Sequence, residues 1–463
     1  MSDERRRRSL QSGRTARTQR GTTRRGSSYV EDQNEEQYTV YQNGDRKPRK
    51  KGSKKSTSRR MRSMPKNHKS SYRMRNKQPL VTWGNGLYDH SLLFLVLFLV
   101  VFGLIMIYST SYYSATMKFN NSMYYLKRQG IMVIAGIVVM LCMSKFNYKI
   151  FLKKIPQFQI SWATFTLLVS IVLQVYVLVN GKEFNGAKRW IEIGPLGTFQ
   201  PSDFAKVAVI LFVSYQIYQN PRILDTFRGF VQVVVLAMVD IALIAVENVS
   251  TAIILTIIVG GTCFVASRRK EYYLIIGVLG AVGLAGILMF GEGFRMKRFQ
   301  IWLHLEENPA DDYAYQILQG LYAVASGGLF GKGLGKGVQK LGYVPEAQND
   351  WIFSIICEEL GMFGACCVLC VFIFLLWRIF QIAINAPDLF GGMICTGIMI
   401  HIAAQVAINV AVVTNSIPST GVALPFISYG GTSVALMLIE MGLVLSVSNQ
   451  IKLKQKQEEA LQS

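Results

Sequence analysis

Apolar residues in this chain come in long unbroken runs, and the polar residues are gathered between them. Ten runs are long enough, or nearly so, to cross a hydrocarbon core about 30 Å thick. They are Leu92–Tyr108, Gly130–Met143, Ile160–Val179, Phe204–Tyr218, Phe230–Val246, Thr251–Ala266, Tyr272–Phe290, Trp351–Trp377, Gly391–Val413 and Gly431–Val447. The pattern predicts an all-α polytopic membrane protein of about ten transmembrane helices. Several runs are short or broken by glycine, so their ends are good to a few residues.

The polar segments between the runs assign sides. "KFNYKIFLKK" from Lys145, "NPRILDTFR" from Asn220, "SRRK" from Ser267, the stretch after Arg378 and the C-terminal "IKLKQKQ" all carry Lys or Arg. The positive-inside rule puts them, and with an even span count both termini, in the cytoplasm. The remaining segments face outside, among them a large outer loop between spans seven and eight, from Glu292 to Asp350. Within that loop "YAYQILQGLYAVASGG" (Tyr313–Gly328) is apolar along one side and too short to span, which reads as a re-entrant or interfacial helix.

The outer segments are not depleted of cations. They hold Lys182, Lys188 and Arg189, then Arg295, Lys297, Arg298, Lys332, Lys336 and Lys340. Cations kept on the translocated face oppose the topology signal, and phosphate is the partner that best rewards them. Contact with outer-leaflet lipid phosphate is the plainer alternative. "LFGKGLGKG" lacks the spacing of a nucleotide-binding phosphate loop, and its glycines suit tight turns.

Composition adds one large asymmetry. Of 463 residues 51% are hydrophobic, yet the formal charge is +22. Residues 1–80 hold 24 Lys and Arg against seven Asp and Glu, which is +17 of that total. Such a segment buries too little apolar surface to fold. The expected organisation is a disordered basic cytoplasmic tail over 1–85, a membrane domain over 86–450 and a short cytoplasmic tail over 451–463. The basic tail either binds anionic membrane lipids or only fixes orientation; nucleic acid is not expected. The first apolar run lies too far in for a cleavable signal. All seven cysteines sit in apolar stretches, against a disulfide framework, and "CCVLC" is in mid-helix with no His nearby, which favours packing over a metal.

The candidate chemistry is concentrated in "KLGYVPEAQNDWIFSIICEELG", Lys340–Gly361. Asp350 stands just before Trp351 at the outer N-terminal end of a helix, where the helix dipole favours an ionised carboxylate. By itself it reads as a helix cap or as a base. Glu358 and Glu359 lie deeper, roughly 80° and 180° around the helix from Asp350, so they cannot both share its face. Carboxylates at that depth are usually paired, which favours a structural network over direct chemistry. Lys206 follows Asp203 by three residues, and either pairs with it or meets an anionic ligand.

Four strings resemble the SEDS family, bacterial membrane proteins of shape, elongation, division and sporulation. They are "NGAKRWI" (Asn185–Ile191), "QPSDFAK" (Gln200–Lys206), "GLFGKGLGKGVQKLGYVPEAQNDWIFSIICEELG" (Gly328–Gly361) and "STGVALPFISYGGTS" (Ser419–Ser433). They follow the family order and spacing and cover essentially everything after residue 90. The match is closer to the cell-division FtsW type, with its sporulation relative, than to the elongation type.

The resemblance implies a peptidoglycan glycosyltransferase. Its substrate would be lipid II, a disaccharide-pentapeptide on undecaprenyl diphosphate, polymerised at the outer face of the bacterial plasma membrane, at the division septum. Asp350 falls on the family's catalytic carboxylate, at the end of its "PE-x-x-x-D-[FW]" string, with Glu346 earlier in that string on the substrate side. Lys188, Arg189 and Lys206 fall on its cationic set. Trp190 could pack on sugar or lipid, Lys332 and Lys336 could meet phosphate, and Ser428 and Tyr429 could hydrogen-bond sugar or phosphate; packing is the other reading of the last two. No cofactor is certain, and a divalent cation stays open. A class B penicillin-binding transpeptidase and other divisome proteins are the implied partners.

Joining two sugars at an anomeric carbon that bears diphosphate needs a base, cations for the leaving group and an apolar groove for the polyprenyl chains; one carboxylate suffices. Three positions depart from the family pattern. Gln348 stands where His is frequent, Asn248 replaces an acidic residue in "ENVSTA", and Asn415 stands where glycine is more common. The rival readings are a lipid II flippase and a non-catalytic scaffold for a transpeptidase.

Overall fold

The computed structural model describes residues 89–184, 187–192, 198–271, 273, 294–307 and 311–462. The basic tail and, apart from Tyr273, the apolar run Tyr272–Phe290 therefore lie outside the described residues. The rest is helical, in chain order α1 (His90–Phe119), α2 (Tyr124–Lys145), α3 (Trp162–Asn180), α4 (Pro201–Gln219), α5 (Phe227–Glu247), α6 (Val249–Ala266), α7 (Phe294–Leu303), α8 (Asp312–Gly327), α9 (Ile352–Ile384), α10 (Leu389–Val413) and α11 (Thr432–Gln462).

Among the described residues eight helices are long and apolar enough to cross a membrane: α1, α2, α3, α5, α6, α9, α10 and the part of α11 up to Ile451. Helix α4, with 19 residues, has the length but is more polar. The chain is a multi-pass membrane protein. Its apolar surface confirms the solvent it is built for: Phe94, Phe98, Val101 and Ile105 run along one exposed stripe of α1, where a water-soluble protein would place charge. Helix α4 is the opposite case, with 15 of its 19 residues buried. A helix buried on nearly every side belongs inside the bundle, and α4 packs against α3, α6 and α10.

Local sequence explains where helices start. Asp89 accepts the N–H groups of Ser91 and Leu92 at the head of α1, and Arg378 of α9 donates to both its oxygens at 2.9 Å. Ser161, Thr226, Asn248 and Asp388 cap α3, α5, α6 and α10 in the same way. Asn248 thereby does what an aspartate would do at that position, since either side-chain oxygen can accept the Thr251 N–H. Helices α2 and α11 meet through glycines: Gly136 lies against Ala435 and Leu438, and Gly442 against Met140.

Two features of the outer segments are not evident from hydropathy. Lys182–Phe184, Ala187–Glu192 and Thr198–Phe199 form a three-stranded antiparallel sheet, β1-β2-β3, with Lys182 opposite Trp190 and Ile191 opposite Phe199. The second is a break in α9. Gly361 takes φ 70°, ψ −175°, so the helix is interrupted one turn past Glu358. The freed backbone groups are met by the glycine-rich turn Gly328–Gly333 that follows α8. Lys332 and Gly333 donate their N–H to the carbonyls of Glu358 and Glu359 (3.0 and 2.9 Å), and Met362 and Phe363 donate to Gly328 and Leu329 (2.9 and 3.0 Å). Irregular backbone at membrane depth is tolerated only when satisfied in this way. A side chain at Gly331 would collide with the Glu359 carbonyl, and one at Gly361 with the backbone of Leu329 and Gly331.

The helix expected at Tyr313–Gly328 is α8, lying against α9. The first span is longer than its apolar run, reaching Phe119 rather than Tyr108. The last helix continues to Gln462, through the segment expected as a tail.

Candidate active site

Asp350 closes a run of turns, Pro345–Trp351, that leads into α9. Its side chain does not cap that helix. The cap position is Trp351, one residue later, and it makes no side-chain cap bond. The Asp350 carboxylate is half-buried beneath the segment Ser419–Leu424, close enough to Gly421 that a Cβ there would sit 3.7 Å from its Oδ2. Gly421 has φ +68°, so glycine suits both the backbone and the space. Arg298 of α7 lies on the same side, donating to the Ser419 carbonyl (3.4 Å) with its guanidinium 4.6 Å from the Tyr313 ring centroid.

Burial pushes the Asp350 carboxyl up to about 6; its own backbone N–H pulls the other way, Glu346 adds to the rise, and Arg298 offsets part of it. A carboxylate in that range is a stronger base than an exposed aspartate and is still ionised at neutral pH. A reaction that needs the ionised form should run at a plateau above about pH 7 and fall about tenfold per unit well below pH 6. Initial rates between pH 4.5 and 8, at pH-independent substrate saturation, check this. A flat profile across pH 6 would remove Asp350 from the rate-limiting proton transfer.

The sheet brings a second group of residues toward the same segment. Lys188 donates its backbone N–H to Glu247 Oε2 (3.1 Å), and Arg189 donates Nε–H to the Glu247 carbonyl (2.8 Å). The strand β2 is thus fastened to the junction of α5 and α6, with Trp190 next along it. From the first turn of α6, Ser250 donates to the Thr420 carbonyl (2.7 Å), one residue from Gly421. A continuous chain of contacts therefore runs from Arg189 to Asp350. Lys206 is spent differently: its ammonium is 2.9 Å from Asp203, both buried in α4. Lys182 pairs with Glu192 at the exposed face of the sheet.

Glu358 and Glu359 are fully buried and organise the glycine-rich loop. Glu358 binds the Lys332 ammonium (2.8 Å) and accepts N–H groups from Val338 and Gln339. Glu359 binds the Lys340 ammonium (2.5 Å), the Ser109 hydroxyl of α1 (2.8 Å) and the Gly335 N–H (3.0 Å). Lys340 is itself buried. Lys332 and Lys340 thus hold the loop to α9, while Lys336 remains exposed.

On the opposite side of Asp350, Glu346 lies 3.5 Å from Lys118 and accepts from Asn349 (2.6 Å). Tyr429 donates its backbone N–H to the Gln348 carbonyl (2.8 Å), and its ring meets Tyr125 edge-on at 5.0 Å. Burial pushes the Tyr429 phenol up. Ser428 is turned inward, accepting the Leu424 N–H (2.8 Å), so its hydroxyl shapes the Leu424–Ser428 turn. The segment folds back into protein, with Leu424, Phe426 and Ile427 buried and Gly103 of α1 against their backbone. Gln348 places its side chain in the interior and its carbonyl on Tyr429. Among the described residues no three His, Cys, Asp or Glu side chains converge as a metal-binding group.

Arg298, one of six cations expected in the long loop, is the one whose charge reaches Asp350, and Asn409 is an addition that hydropathy and motif did not single out. Asn409, wholly buried in α10, donates to the Asp350 carbonyl (2.8 Å) and to that of Val422 (2.7 Å). An amide in the middle of an apolar run is the signal that could have found it.

Residues 90–453 match the family model of cell cycle proteins that joins FtsW, RodA and SpoVE. The chain is 37% identical over 368 residues to stage V sporulation protein E of Bacillus subtilis, covering 78% of this chain and 96% of that one. It is 36% identical over 370 residues to a probable peptidoglycan glycosyltransferase FtsW of Trichlorobacter lovleyi, covering 79% and 94%. Among solved structures it resembles the rod shape determining protein RodA of Thermus thermophilus, at 25% identity and a TM-score of 0.56 over 78% of this chain and 96% of that one. A chain of a peptidoglycan synthase complex, solved for the structural coordination of polymerization and crosslinking, shares the fold at 24% identity and a TM-score of 0.64, covering 79% and 98%.

Proposed function

The chain belongs to the FtsW, RodA and SpoVE family of cell cycle proteins, and on that premise we propose that it is a peptidoglycan glycosyltransferase that polymerises lipid II at the outer face of the bacterial plasma membrane. The observation that carries the reading is Asp350. It is a half-buried carboxylate, raised to about 6, beside a guanidinium and under a glycine whose lack of a side chain leaves room at its Oδ2. The acceptor sugar hydroxyl attacks the anomeric carbon of the donor, its proton passes to Asp350, and the C–O bond to the diphosphate breaks with the electron pair leaving on the phosphate. Lys188, Arg189 and Arg298 supply positive charge for that leaving group, and Trp190 offers an apolar face to sugar or prenyl chain. Glu346 and Tyr429, which stand within electrostatic reach of each other, and the exposed Lys336 remain candidates for substrate contact. Lys206 and Lys332, paired with Asp203 and Glu358, act through the framework rather than on substrate.

The FtsW-named relatives favour a role in division, and the synthase complex among the structural neighbours favours work beside a penicillin-binding transpeptidase. The test is polymerisation of labelled lipid II by the purified protein, with and without such a partner, read as glycan strands on a gel. In that assay Arg189→Ala should raise KM roughly ten- to a hundredfold, the worth of a charge-assisted hydrogen bond. Lys182→Ala, whose ammonium faces Glu192 at the exposed face of the sheet, should stay within about twofold. Equal small effects at both positions would mean general surface charge, and no polymer from wild type in either condition would leave the scaffold reading.

A further inference from the structure

The middle of α10 carries three polar residues spaced by four, His401, Gln405 and Asn409, and all three are buried. A spacing of four places them in one row along the helix. Across from its inner end lies Glu440 of α11, also buried. All four are shut inside the protein, and intramembrane polar groups are costly enough to need a reason.

The hydrogen bonds form one ladder. Glu440 Oε2 and His401 Nδ1 are 2.9 Å apart, and His401 Nε2 is 2.8 Å from Gln405 Oε1. Gln405 Nε2 donates to the Ala423 carbonyl (2.8 Å). Asn409 Nδ2 donates to the carbonyls of Val422 (2.7 Å) and Asp350 (2.8 Å). Donor accounting orients every rung. A carbonyl can only accept, so the Gln405 amide must present its oxygen to His401, and His401 Nε2 must carry a proton. Nδ1 is left facing the Glu440 carboxyl. Glu440 fixes His401 and His401 fixes Gln405, while Gln405 and Asn409 meet through the Val422–Ala423 backbone, which Asn409 ties to the Asp350 carbonyl.

We propose that Glu440, His401, Gln405 and Asn409 are positioning residues that set where the Asp350 carboxylate stands relative to the segment Ser419–Leu424. This inference rests on the reading of Asp350 as the base. Its logic is geometric: a base displaced by about 1 Å loses up to roughly a hundredfold in rate while substrate affinity, supplied elsewhere, is kept.

The test compares Gln405→Ala, Asn409→Ala, Glu440→Ala and Glu440→Gln in the full-length protein. Gln405→Ala and Asn409→Ala should lower kcat roughly ten- to a hundredfold with KM for lipid II within about twofold. Glu440→Ala should do the same, and Glu440→Gln should restore most of the rate, because its amide N–H can donate to Nδ1 of a neutral imidazole. A second measurement needs no turnover. Hydrogen exchange of the Leu424, Ile427 and Ser428 amides, hydrogen-bonded in this turn, should accelerate in Gln405→Ala and Asn409→Ala, with the amides of α1 unchanged. Unchanged kcat in Asn409→Ala, a defect in KM alone, or wild-type exchange in both variants would overturn the ladder. Accelerated exchange together with an Asp350→Asn protein that still polymerises would support the ladder and overturn the reading of Asp350 instead.

Discussion

Asp350→Asn should cut glycan polymerisation by a hundredfold or more, the scale of losing a general base, in a protein at least as stable as wild type at neutral pH. The amide has the size of the carboxyl and cannot accept the hydroxyl proton as a carboxylate does. Stability should hold because burial already disfavours the charge at this position. The group is protonated more readily folded than unfolded, so the fold gains nothing from ionising it and loses a little as pH rises from about 4 to about 6. Removing the charge removes that loss. Binding of lipid II should survive, since Lys188, Arg189 and Arg298 are untouched. Gel analysis of labelled strands beside a binding measurement on the same preparation decides it. A folded variant that polymerises at the wild-type rate sinks the catalytic role.

Glu359→Ala should strongly destabilise the docking of the glycine-rich loop on α9. It would leave the Lys340 ammonium buried without a counter-charge, facing the Ser109 hydroxyl and the Tyr112 ring, and would orphan the Gly335 N–H. Breaking a buried pair from one side costs about 3–5 kcal/mol. Lys340→Met alone should cost less than that, and the double variant should be less harmful than the two single effects added. Unfolding in detergent, followed by a probe of the outer loop, measures all three. A cost under about 1 kcal/mol for Glu359→Ala would mean that water reaches the pair and that it contributes as little as a surface bridge.

The membrane helices were legible in the sequence because a bilayer demands continuous apolar stretches, and α5, α6 and α10 end within a few residues of their runs. The sheet at Lys182–Phe199 was not, since strands of two to six residues carry too little periodicity to register. The break at Gly361 was equally hidden: "EELG" followed by an apolar run reads as one helix, and only the docking of Gly328–Gly333 reveals why a glycine must interrupt it. Asp350 could be found from its motif, but its neighbours could not. Lys332 and Lys340 look alike in sequence to Arg298, yet two of the three face buried glutamates and one lies near Asp350. Which cation meets which anion depends on tertiary approach, and spacing along the chain carries no record of it. The row His401, Gln405, Asn409 shows the same limit, for its spacing of four is plain while the carbonyls it meets come from two distant segments.

The interruption of α9 also makes a ruler of the chain. Lys332 and Gly333 meet Glu358 and Glu359, and Gly328 and Leu329 meet Met362 and Phe363, so the stretch between them is a closed ring clasped at both ends by backbone. The clasp is backbone to backbone, yet it leaves no room for a Cβ at Gly331 or Gly361. Within the ring only 352–357 is helical, and there one residue more or less would turn Asp350 by about 100° around α9 relative to the clasp and swing it away from Gly421. Single-residue indels across 352–357 should therefore abolish polymerisation, while the turns between Leu341 and Glu346 can absorb one at little cost.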